Sequence, residues 1–135
     1  MSYMKTNSYL GIGTELLQKI TPLGPIHKAS VVGFAPNGEE LVLDHPKGGA
    51  SQLVPLKDFV AGTETFIGKR GPSSVVEQQA ITNRAAQTVG TRYNIFARNC
   101  EHVSSFVRTG KAESPQLAIC FLVALVFGAM IIASK

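Results

Sequence analysis

Seventeen consecutive residues near the end of the chain, Leu117 to Ala133 (LAICFLVALVFGAMIIA), carry no charge and are almost wholly apolar. A helix apolar on nearly every face must lie in a bilayer or be enclosed by a core, so this run restricts the fold more than any other feature. At about 1.5 Å per residue it reaches roughly 25 Å. Pro115, Gln116 and Ser134 extend it toward the roughly 30 Å of a hydrocarbon core. The rest of a 135-residue chain is small for enclosing such a helix. Residues 115–135 are therefore predicted to form a single-pass C-terminal transmembrane helix, and residues 1–114 a separate domain. The run lies at the wrong end for a cleaved signal, and the opening MSYMKTNSYLG is polar. Arg108 and Lys111, opposed by Glu113, precede the run and a single Lys follows it, which places the domain on the cytoplasmic side.

Residues 1–114 can supply one modest hydrophobic core. Charged residues at 16% and two cysteines argue against both a disordered charged tail and a disulfide-stapled mini-protein. The excess of 13 Lys+Arg over 9 Asp+Glu is mild, and no basic run exceeds Lys69-Arg70. No nucleic-acid partner is expected; the charge suits slight attraction to anionic lipid.

Thr14 to Ile20 reads as a short strand or helical piece ended by Pro22, Gly24 and Pro25. The β-prone runs Ile26–Phe34 and Glu39–His45 flank Ala35-Pro36-Asn37-Gly38, and an Asn-Gly pair is a strong hairpin signal. Ser51–Phe59 holds a third strand, with Pro55 suited to an edge or strand end. Ser74-x-x-Glu77 has the form of a capping box opening a helix through Val89, with Ile81, Ala85 and Val89 on one stripe and Gly90 at the stop. Tyr93–Ala97 alternates like a strand, and Asn99 can cap a helix from Cys100 to Thr109 that Gly110 terminates. This order gives an α+β class.

With Asn99 as cap, Cys100 stands in the first turn of its helix, where free backbone N–H groups and the positive dipole end favour a thiolate. Spacings of three, six and seven put it on the face of Val103, Phe106 and Val107, toward the core. Such a thiol suits nucleophilic acyl chemistry. His102 is two residues away, about 200° around the helix, so it serves neither as base for Cys100 nor as a metal partner. The base must come from His27 or His45, both on the hairpin. A three-residue loop, Pro36-Asn37-Gly38, pairs Ala29 with His45 and puts His45 on the face of His27; a two-residue loop puts Asp44 there instead. Either could orient the His27 imidazole. Cys120 lies inside the apolar run as a packing residue.

The segment Tyr93–Gly110, YNIFARNCEHVSSFVRTG, resembles the signature of the lecithin retinol acyltransferase-like family, which includes the HRAS-like suppressor phospholipase/acyltransferases. The likeness extends to Gly13-Thr14-Glu15-Leu16-Leu17, to Ile26-His27-x-Ala29-x-Val31-Val32-Gly33, to Ala85-x-x-x-Val89-Gly90 and to the C-terminal anchor. The resemblance implies a circularly permuted papain-like (NlpC-type) α+β domain with an antiparallel sheet. It implies Cys100 as nucleophile, His27 as general base and His45 as the third polar residue. It further implies a membrane-anchored thiol acyltransferase or phospholipase that acts on glycerophospholipid esters through an acyl-thioester. No cofactor or metal is expected, and the chain is expected to act as a monomer. Two other readings remain: a cysteine peptidase or amidase on the same fold, and a tail-anchored interaction module in which Cys100 is inert.

Overall fold

The hairpin forms where the Asn-Gly pair predicts it. Strands β3 (Ile26–Phe34) and β4 (Glu40–Asp44) are antiparallel. The loop is the three-residue form: Ala35 donates its N–H to Glu39 O at 2.8 Å, and Gly38 donates to Ala35 O at 2.9 Å. Gly38 has φ +86°, a conformation that the third position of such a loop requires and that a side chain would strain. The computed structural model that shows this describes residues 2–3, 9–19, 26–46, 48–90 and 100–111.

Among the described residues, six antiparallel strands make one sheet in the order β1-β6-β2-β3-β4-β5, where β1 is Ser2–Tyr3, β2 Glu15–Lys19, β5 Gln52–Pro55 and β6 Thr65–Ile67. The piece after Thr14 is thus a strand, and Pro55 ends an edge strand, where its missing N–H breaks no ladder. Helix α1 (Leu56–Val60) follows directly and buries Phe59, where the sequence pattern continues the third strand. The sheet and helices make the chain α+β, as expected.

Helix α2 (Val75–Thr88) opens at Ser74, whose Oγ accepts from the Glu77 N–H at 3.4 Å, and buries Ile81 and Ala85. Val89 departs from the predicted stripe. It is the C-cap with extended backbone and is 45% exposed, so Thr88 takes the buried position at that end. Helix α3 (Cys100–Thr109) has the predicted bounds, and Gly110, at φ +82°, returns its N–H to Phe106 O as a left-handed C-cap does.

The core differs from the single cluster that chain length suggested. Because side chains alternate across a strand, the sheet buries residues on both faces. Val32 and Leu43 pack with Ile81 and Ala85 of α2 and Val103 and Val107 of α3. On the other face, Leu16, Ala29, Val31 and Val42 pack with Phe59 of α1. No helix among the described residues is long and apolar enough to cross a membrane. The predicted anchor at residues 115–135 with its Cys120, the breakers Pro22, Gly24 and Pro25, the strand at Tyr93–Ala97 and the cap Asn99 lie outside the described residues.

Candidate active site

Cys100 is the first residue of α3 and a free thiol, so it occupies the turn whose N–H groups lack intrahelical partners. Val103 and Val107 are buried and Phe106 packs against the same cluster, which is the face predicted for Cys100. A hydrogen bond between Ser30 Oγ and Ser104 Oγ (2.8 Å, both buried) ties this helix to β3.

His27 stands near the start of β3, beyond the end of the β3–β4 ladder, whose last pair on that side is Ser30 with Leu43. Its imidazole is hydrogen-bonded to the Asp44 carboxylate, and the Cys100 side chain lies near enough to act on its titration. The contact from Nε2 to Asp44 Oδ1 is 2.7 Å, with side-chain exposures of 15% and 17%. Phe59 of α1 lies beside the ring, with centroids 6.1 Å apart.

Of the two residues that could stand beside His27, His45, which the resemblance implies, and Asp44, it is Asp44 that contacts the ring in the structure. The loop has the expected length, since Phe34 pairs with Glu40 and Gly33 with Leu41. Between Gly33 and Val31, however, the register shifts by one residue, so Val31 pairs with Val42 and Ser30 with Leu43. Val32 is the extra residue of a β-bulge. Continued in this register, Asp44 faces Ala29 and shares the face of His27, whereas an unbulged strand would have brought His45 there. A glycine inside a strand is a recognised bulge signal, and Gly33 next to Val31-Val32 is that signal in this sequence. His45 is instead only 1% exposed and hydrogen-bonds through Nδ1 to the buried Ser51 hydroxyl.

Burial of the His27 ring favours its neutral form. The hydrogen bonds to Asp44 and to the Cys100 sulfur, with the negative charge that each carries when ionised, outweigh this and raise the His27 pKa from 6.5 to about 9. The ring therefore holds its proton at neutral pH. An imidazolium with a carboxylate on one side and a sulfur on the other can stabilise a thiolate and then give up a proton to a leaving group. His102, excluded as a partner by its helical spacing, is partly buried further along the first turn of α3.

No group of His, Cys, Asp and Glu side chains among the described residues is arranged to hold a metal ion. The model of the family described as lecithin retinol acyltransferase matches residues 19–113, a span that contains Cys100, His27 and Asp44. No curated relative matches the chain. With its matched span covering more than half of its length, this chain belongs to the lecithin retinol acyltransferase family.

Proposed function

We propose that this protein is a thiol acyltransferase/phospholipase that takes acyl groups from glycerophospholipids through a thioester on Cys100. The observation that carries the reading is the line of contacts from Asp44 through the His27 imidazole to a cysteine at a helix N-terminus. The Cys100 thiolate attacks the ester carbonyl, and the backbone N–H of Cys100, in the first turn of α3, donates to the oxyanion in this scheme. As the tetrahedral intermediate collapses, the C–O bond breaks and His27 gives its proton to the departing lysophospholipid oxygen. Neutral His27 then takes a proton from water, or from an acceptor alcohol or amine, as that oxygen or nitrogen attacks the thioester. The sulfur leaves as thiolate and the imidazolium is restored. Asp44 orients the ring and balances its charge in this scheme, the role that the family resemblance gives to His45.

Family membership supports acyl chemistry, and the order of His27 before Cys100 suits a circularly permuted papain-like (NlpC-type) domain over residues 1–114. The apolar run of residues 115–135 would hold this domain, as a monomer, at the cytoplasmic surface of a membrane. Anchoring raises the effective concentration of an insoluble substrate at the site.

The test is incubation of the full chain with vesicles of mixed phospholipids, followed by mass spectrometry of the protein and assay of released fatty acid. An acyl adduct on Cys100, absent from Cys100→Ala together with fatty-acid release, is the expected result. Cleavage of peptide substrates with no acyl adduct would overturn the lipid reading in favour of a peptidase.

A further inference from the structure

Two charged residues that the proposed chemistry leaves unused are the chain neighbours of its acid–base histidine and its nucleophile. Lys28 follows His27 and Glu101 follows Cys100. Their side chains meet, with Lys28 Nζ 3.1 Å from Glu101 Oε2. We propose that Lys28 and Glu101 are positioning residues, forming a latch that fixes the N-terminal turn of α3 against β3 and so sets the contact between Cys100 and His27. The proposal rests on the reading of those two as the reacting pair.

Burial gives the latch its stiffness. The Glu101 side chain is 3% exposed and that of Lys28 23%, so water offers the carboxylate little replacement for the ammonium. Parting the pair takes the ammonium away from a buried carboxylate, a far larger cost than parting an exposed pair. Lys28 has the strand parity of Ser30 and Val32, the residues of β3 that meet α3.

A second polar contact runs in the same direction. Two residues along β3 and one turn along α3, Ser30 Oγ meets Ser104 Oγ at 2.8 Å, with both residues buried. One contact would restrain distance alone; two in sequence restrain both the sliding and the rotation of the helix on the strand. The remaining buried residues between these elements include Val32, Val103 and Val107. Apolar contacts are non-directional and tolerate small displacements that hydrogen bonds and ion pairs do not. The best-attested role of buried polar groups is to select one register. For a thiol that must stay hydrogen-bonded to an imidazole, register decides rate, since a displacement of about 1 Å can cost on the order of a hundredfold.

The experiment uses the full chain and two readouts: fatty-acid release from phosphatidylcholine vesicles, resolved into kcat and KM, and the rate of Cys100 alkylation by iodoacetamide at pH 7. Lys28→Met and Glu101→Gln are each expected to lower kcat and the alkylation rate by about tenfold to a hundredfold, with KM changed by less than about twofold. Lys28→Arg should retain both rates. The double variant should lose little more than the worse single one, because the two side chains act as one unit. Variants that melt earlier yet keep wild-type kcat and alkylation would overturn the latch, and so would Lys28→Arg failing as severely as Lys28→Met. Should Glu101→Gln fail to fold, Lys28→Gln and Lys28→Arg, on the more exposed partner, decide the matter by the same readouts. If wild-type protein turns over no lipid but the variants still slow alkylation, the latch stands and the lipid reading falls. If lipid turnover and alkylation are both unchanged in the variants, the reverse holds.

Discussion

His27 and His45 lie on the two strands of one hairpin or just beyond them, and their surroundings could hardly differ more. His27 keeps 15% of its side chain exposed and is bonded to a carboxylate; His45 is 1% exposed and bonds through Nδ1 to a serine hydroxyl. A charged partner makes an imidazole a proton carrier, whereas a neutral partner in a closed site makes it a packing residue with a satisfied polar edge. With a three-residue loop and no bulge, sequence spacing would place both on one face. His27 keeps the exposure and has the charged partner that acid–base chemistry uses.

The contrast is most strongly tested by His27→Gln, which should lower kcat for acyl transfer by about 10²–10⁴-fold while leaving the fold intact by circular dichroism. A negligible loss at His27 together with a large one at His45 would reverse the assignment. Asp44→Asn should have the next largest effect, lowering kcat by about 10-fold to 100-fold and moving the His27 titration, followed by NMR, from about 9 back toward 6.5. An unmoved titration would mean that Asp44 does not hold the imidazolium.

For His45 the expected loss is in stability. His45→Leu strands the Ser51 hydroxyl in a buried site and should cost about 1–3 kcal/mol in urea denaturation, with kcat altered by less than about threefold. The last expectation is a pH dependence of stability. His27 has its pKa raised on folding, from 6.5 to about 9, so its contribution is complete below pH 6.5 and is lost as pH rises through about 9. The urea midpoint of wild-type protein should therefore fall across that window, and Asp44→Asn should flatten the fall.

Much of this arrangement is legible in the order of residues along the chain. The bounds of α3, the capping box at Ser74, the three-residue loop and the edge position of Pro55 all follow from local chemistry, because caps, turn glycines and prolines act within a few residues of themselves. Short elements are less visible. The five residues of α1 and the three of β6 are too few to establish a periodicity, and packing rather than propensity keeps them in place. The exposure of Val89 has a similar origin, since a stripe four residues apart persists only as far as the helix does.

What the sequence determined by itself was which groups could take part: a cysteine at the start of a helix, an earlier histidine on a strand, and His45 and Asp44 as adjacent candidates to support it. Tertiary structure decided between the last two. One extra residue at Val32 turns the register of β4 by a single step, and because strand side chains alternate with a period of two, that step carries Asp44 to His27 and His45 to Ser51. The same tertiary packing brings Lys28 to Glu101, a contact between residues far apart in the chain that no local pattern announces.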